Sequence, residues 1–254
     1  MAERANTAKP RAPMAIGSAS LGSARSAMPS DAAKPPAHFT ATFQRVTQRY
    51  GDCGRFARAY VAAKLRRDPV HRDVLALATG EAFGEVVDIG CGRGQLAVAL
   101  LEAGLARSVR GLDCQGRHLE QARRAARGLA FSAELRDLAK NHDVPETTSV
   151  LLVDVLYQLE PVVQIALLRA AARAAQRRVL IRTLDPDLGM RSTLTLRLER
   201  LMQRLSPHSG RHVAALPIAR LVETLVDAGF SVSSTPCWEG TPFANVLLMG
   251  CRAG

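Results

Sequence analysis

The sequence lacks any uninterrupted apolar run near the ~18 residues a membrane-spanning helix requires. Its longest candidate, Val150 to Leu159, is cut by Asp154 and followed by Glu160 and Pro161, so no integral membrane helix is expected. Cysteine offers little for metal or disulfide chemistry. Cys53, Cys91, Cys114, Cys237 and Cys251 are odd in number and form no C-x-x-C pair, which argues against a zinc site or a disulfide framework. With no apolar signal segment either, a reducing cytoplasm is the expected compartment, and no metal is expected. Aromatic residues make up only 4% of the chain, leaving few platforms for stacking nucleic-acid bases. Lysine is scarce too: Lys9, Lys34, Lys64 and Lys140 are the only ones, so thirty of the 34 basic residues are arginines (34 − 4).

What is present reads as a globular protein. The chain has 254 residues, 47% of them hydrophobic and 22% charged, enough for one large α/β domain with a tail and for a core that needs no cross-links. Its net charge of +11 is open to two readings, an arginine-rich coding bias or attraction to an acidic partner such as RNA, an anionic membrane surface or an acidic carrier protein. Residues 1–38 are rich in Ala, Ser, Pro and Gly without helical or strand period and read as a disordered extension. Their basic, acid-poor composition also suits a transit peptide, or a start site placed upstream of Met14 or Met28. Removing their five basic and two acidic residues leaves a body of +8 (29 − 21). The fold is expected to begin near Phe39.

From Phe39 to Thr79 the pattern is helical, with Phe56, Ala59, Tyr60 and Ala63 forming one apolar stripe and Pro69 opening a further helix that stops at Gly80. Strands and helices then alternate: strands at 85–89, 108–113, 129–135, 149–155 and 178–183, with helices at 95–103, 117–127 and 161–176 between them. That alternation predicts a parallel sheet covered on both faces by helices. The C-terminal region differs, with a helix over 216–228 and strands at 231–237 and 245–251 joined by a connection so short that they must be antiparallel.

The most informative stretch is Val86-Val-Asp-Ile-Gly-Cys-Gly-Arg-Gly-Gln95, where a strand, a glycine-rich turn and a helix follow directly. Gly90, Gly92 and Gly94 permit a tight turn and let a ligand approach the backbone without meeting a Cβ. Gln95 stands where G-x-G-x-x-G would need its last glycine, so the dinucleotide fingerprint is not met. Asp88, two residues ahead of Gly90, would repel a pyrophosphate.

The segment Asp88-Ile-Gly-Cys-Gly-Arg-Gly94 resembles the first motif of class I S-adenosylmethionine-dependent methyltransferases, and the resemblance runs from about Phe83 to the C-terminus. It implies a Rossmann-like fold, a mostly parallel seven-stranded sheet ending in an antiparallel hairpin, with S-adenosyl-L-methionine as cofactor. It further implies that Asp88, Gly90, Cys91, Gly92 and Gly94 form the cofactor loop. Asp113, followed by Cys114, would meet the ribose hydroxyls; Asp137 and Leu138 would meet the adenine; Asp154 would border the methionine moiety and the substrate. A lone Asp at a strand end also serves as a helix cap or turn former, most plausibly at Asp137. In such enzymes positioning carries much of the rate, so catalytic side chains are few.

Tyr157 is the candidate nearest the transferred methyl, with packing beneath a substrate cap as its other reading; His142 lies in a loop at the site's edge, and no general base is assigned. The Asn/Asp-Pro-Pro-aromatic signature common among nucleic-acid amino-methylating members is absent, Asp154-Val-Leu-Tyr157 standing in its place. Helices over 39–80 and an insert over 187–215 are the caps of small-molecule members. Within that insert, Leu194, Leu198, Leu201 and Leu205 form one stripe and Arg197, Arg200 and Arg204 another, which would suit a lid helix or docking to an acidic acyl-carrier protein or membrane surface. The stretches Lys64-Leu-Arg-Arg-Asp-Pro69, 180–187 and 241–248 resemble methyltransferases of bacterial aryl polyene and related aryl pigment pathways. That resemblance implies an aromatic or carrier-bound acceptor, with Lys64 and Arg182 as substrate-binding candidates for a carboxylate or thioester region. An rRNA or tRNA methyltransferase is the alternative, favoured by the +8 body. A non-catalytic cofactor-binding partner protein is a third reading. A nicotinamide-dependent reductase is disfavoured, because Tyr60-Val-Ala-Ala-Lys64 precedes the glycine loop instead of following it.

Overall fold

Short apolar strands separated by glycine-stopped helices form, in the computed structural model, one twisted sheet with helices on both faces. The structure describes residues 37–189, 192–193 and 214–252. Three N-terminal helices, α1 (Ala37–Arg49), α2 (Arg55–Arg67) and α3 (Pro69–Gly80), precede the alternating part. That part consists of β1 (Glu85–Ile89), α4 (Gln95–Glu102), β2 (Ser108–Asp113), α5 (Gly116–Ala125), β3 (Phe131–Leu135), β4 (Thr147–Val153), α6 (Pro161–Ala174) and β5 (Ala175–Leu184). The C-terminal elements are α7 (Ile218–Asp227), β6 (Ser231–Pro236) and β7 (Asn245–Cys251). Of the extension expected over 1–38, residues 37 and 38 belong to α1 and residues 1–36 lie outside the described residues, as do the leucine and arginine stripes between residues 194 and 205.

The seven strands are ordered β3-β2-β1-β4-β5-β7-β6. Strands β1 to β5 pair in parallel, and β7 runs antiparallel to both β5 and β6. Strand order reverses between β1 and β4, where an open parallel sheet leaves a crevice outside its carboxyl ends. The expected parallel sheet with a terminal antiparallel hairpin is what forms.

Strand alternation sorts the core into two layers. Leu151 and Leu180 pack with α1 to α5, whereas Val150, Leu152, Val179 and Ile181 pack with α6 and α7 on the opposite face. Arg178, buried on β5, is paired with Glu81 at 2.6 Å and donates to the Glu81 carbonyl.

The stripe read on α2 is on the wrong face. Ala57, Val61 and Leu65 are the residues that enter the core, while Phe56 is 73% exposed and Tyr60 39%. The outward pair finds its own partners: the two rings lie 6.5 Å apart, and the Arg93 guanidinium sits 5.0 Å from the Tyr60 centroid. Strand β4 begins and ends two residues earlier than its apolar run suggests. Asp154 leaves the strand at φ 59, a left-handed conformation that Asp tolerates better than branched residues. Strand β5 starts at Ala175, directly on the last residue of α6, three residues before the expected point.

Candidate active site at the carboxyl edge of the sheet

A cavity of about 780 Å³ opens at the switch point between β1 and β4, within the roughly 300–1,000 Å³ of small-molecule sites. Its floor is the turn from β1 into α4. Gly92 has φ 55, and a Cβ there would meet nothing within 4 Å, so this backbone faces the cavity bare. Gly90 and Gly94 are small for another reason: a Cβ at Gly90 would lie 2.9 Å from Val155 Cγ2, and one at Gly94 2.8 Å from Ala122 Cβ. Two of the three glycines thus let the loop close on β4 and α5, and one keeps it open to a ligand.

Asp113, at the end of β2, accepts from Gly92 N–H at 2.8 Å through Oδ2 and from Gln115 N–H at 2.8 Å through Oδ1. One carboxylate therefore fixes the glycine loop and starts α5. Each carboxylate oxygen has room for a further donor beside the one it already accepts. Asp88 is buried beside it. Burial, and secondarily the negative charge of Asp113, push the Asp88 carboxyl up to about 7. Cys91 is buried and its thiol is pushed up by burial, whereas Cys114 is exposed. Asp137 caps its own turn, accepting from Ala139 N–H at 3.1 Å, and it pairs with Lys140 at 3.4 Å. Leu138 is buried beside it, and both line the cavity. His142 is not among the cavity's lining residues, and its Nδ1 lies 2.7 Å from the Leu138 carbonyl.

The opposite wall is a chain of charges that motif reading did not assemble. Lys64 Nζ pairs with Asp68 at 2.9 Å; Arg182 pairs with Asp68 at 2.9 Å and with Asp154 at 2.6 Å. Arg182 is only 3% exposed, and ion pairing on both sides accounts for its place on a buried strand. Although burial alone would raise the Asp68 carboxyl, Arg182 and Lys64 hold it down at about 2. Asp154 Oδ1 is buried and accepts no hydrogen bond among the described residues, while Gln158 donates to the Asp154 carbonyl. Tyr157 is buried against Leu184 and Ala215 and lines the cavity.

His71 also lines the cavity, from the first turn of α3, and burial lowers its imidazole to about 4, so it stands neutral. His71 carries no sequence signal, and Asp68 only its place in the 64–69 stretch and before Pro69 at a helix start. Asp68 does cap α3, accepting from Val70 N–H at 3.3 Å. The structure thus brings the glycine loop, Asp88, Asp113, Asp137, Leu138, Asp154, Tyr157 and Lys64 to one cavity, with Arg182 behind its wall. Among the described residues there is no cluster of groups able to hold a metal ion, and no helix is long and apolar enough to cross a membrane.

Residues 86–178 match the family model described as the methyltransferase domain. No curated protein matches the chain. Solved structures with the same fold include magnesium protoporphyrin IX methyltransferase from Synechocystis PCC 6803 with bound SAH, 22% identical over 84% of this chain and 95% of that one, TM-score 0.58. The S-adenosylmethionine-dependent methyltransferase SibL is 22% identical over 87% of this chain and 70% of that one, TM-score 0.59. The pyocyanin biosynthetic protein PhzM is 25% identical over 83% of this chain and 62% of that one, TM-score 0.56. Residues 86–178 are thus similar to a methyltransferase domain, and the chain shares the fold of solved S-adenosylmethionine-dependent methyltransferases.

Proposed function

We propose that the protein transfers a methyl group from S-adenosylmethionine to a small-molecule acceptor held between the sheet edge and the N-terminal helices. The observation that carries the reading is the cavity itself. A bare Gly92 backbone, the Asp113 carboxylate tied to that backbone and the Asp154 residue at the end of β4 all line one space of the right size. These features fit the cofactor. The open side of Gly92 gives a nucleoside close access, Asp113 is our choice for its sugar hydroxyls, and Asp137 with Leu138 flanks its adenine. Asp154 lines the same space and is held by Arg182, and it is our choice to border the methionine moiety and the acceptor.

When bound, S-adenosylmethionine supplies an electrophilic methyl on a sulfonium with a good leaving group. The chain's own contribution is then positioning and exclusion of water. Tyr157 is our candidate for contact with the acceptor beside Asp154. Lys64 and Arg182 act on this reading as a charged wall whose cations are already matched by Asp68 and Asp154. They orient polar atoms of the acceptor without offering a free positive charge.

Three solved proteins of this fold are named for porphyrin methylation, for pyocyanin biosynthesis, or simply as an S-adenosylmethionine-dependent methyltransferase. The first two names, with the aryl-pathway resemblance of residues 64–69, 180–187 and 241–248, support an aromatic acceptor. Incubation with methyl-labelled S-adenosylmethionine and fractionated cell extract tests the proposal. We expect label in the small-molecule or carrier-protein fraction. Label confined to RNA would reverse the assignment.

A further inference from the structure

A second cavity, of about 1220 Å³, lies outside the cofactor crevice, between α1, α2 and the β6–β7 turn. Its floor is apolar, drawn from Phe43, Ala62, Ala63, Pro69 and Phe243. Its rim is cationic. Arg58, Arg66 and Arg67 line it, all three are exposed, and among the described residues none of them has an ion-pair partner. Arg72 at the same rim differs, being paired with Asp73 and with Glu239 at 2.7 Å. The two cavities share Tyr60, Lys64 and Asp68. The Lys64–Asp68–Arg182 ion-pair chain is therefore a partition between them, with the exposed Tyr60 ring standing at its edge.

We infer that this second cavity is the acceptor chamber, and that it takes an amphipathic molecule with an apolar, aromatic body and an anionic group. The inference rests on the methyltransferase reading above and specifies the substrate class for it. An apolar floor gains by excluding water from a ligand of matching character. Three unmatched guanidiniums at its rim give the anion a place that the neutralised pairs inside the partition do not. A molecule seated there would present its other end past Tyr60 to Asp154 and Tyr157. Flat docking on a membrane surface explains the charge but not the concavity or the shared wall.

The test uses two dyes with the same body: 1-anilinonaphthalene-8-sulfonate, which is anionic, and N-phenyl-1-naphthylamine, which is neutral. We expect the full-length protein to bind the sulfonate about tenfold more tightly than the neutral dye, and the R58Q/R66Q/R67Q variant to lose that preference. Exposed pairs are individually weak, and three together amount to about one order of magnitude in affinity. Glutamine keeps the helix propensity of α2, and calorimetric binding of S-adenosylhomocysteine should be unchanged in the variant. Equal binding of the two dyes, an unaltered preference in the variant, or displacement of the sulfonate by saturating S-adenosylhomocysteine would overturn the inference. Sedimentation with phosphatidylglycerol vesicles that the variant abolishes would likewise overturn it and make the rim a membrane contact. A protein that fails to bind S-adenosylhomocysteine yet retains the dye preference would contradict the cofactor reading alone.

Discussion

Two buried titratable groups on opposite walls of the crevice give stability opposing slopes with pH. Burial and Asp113 raise the Asp88 carboxyl from 3.8 to about 7, so the folded chain holds a proton that the unfolded chain has released. Between those values stability falls as pH rises. Burial lowers His71 from 6.5 to about 4, so there the unfolded chain holds the extra proton and stability rises with pH across that window. We expect Asp88→Asn to tilt the pH profile of the urea midpoint upward from pH 4 to 7 relative to the parent, and His71→Gln to tilt it downward from pH 4 to 6.5. Parallel profiles in the two variants would show that neither group titrates as its surroundings dictate. Legibility divides in the same way at this scale. Asp88, Asp113 and the three glycines stand in one local strand–turn–helix pattern, whose context gives them meaning. Asp68 and His71 reach the crevice from a separate helix over distances no local pattern encodes. That Asp113 also anchors the Gly92 N–H was equally invisible, because both partners are ordinary until the strands align.

At the scale of elements, strands were readable because short apolar runs between helical segments leave few alternatives, and the antiparallel ending followed from the length of one connection. Helix α2 was not readable in the same way. An alanine-rich helix presents two apolar stripes, Ala57-Val61-Leu65 and Phe56-Ala59-Tyr60-Ala63, and periodicity alone cannot choose between them. Packing against α1 and α3 selects the aliphatic stripe, whose residues fit a close helix contact, and leaves the rings to stack outside under Arg93. The choice has a measurable consequence. Leu65→Ala removes a side chain 4% exposed and should cost about 2–4 kcal/mol in chemical denaturation. Phe56→Ala, at 73% exposed, should stay within about 0.5 kcal/mol. Reversal of that order would return the aromatic stripe to the core.

At the scale of the whole molecule, the arginines among the described residues include two kinds. Many arginines are matched, Arg45 and Arg49 with Glu102, Arg107 with Glu85, Arg178 with Glu81 and Arg182 with two aspartates. Arg58, Arg66 and Arg67 on α2 have no ion-pair partner among the described residues. Net charge alone was therefore a poor guide to a partner, since it counts both kinds alike. The same global view bears on the cofactor. A ligand that binds only the folded chain stabilises it by about 2.7 kcal/mol at one hundred times its dissociation constant. For a chain of this size that corresponds to a rise in melting temperature of about 5–10 °C. S-adenosylhomocysteine should produce such a shift in the parent protein. Gly92→Val places a branched side chain at φ 55 and into the cavity, so its own melting point should fall from backbone strain. The decisive quantity is the increment on adding ligand, which should vanish in the variant because the added bulk occupies the nucleoside's space. An equal increment in both proteins would place the nucleoside away from the turn between β1 and α4.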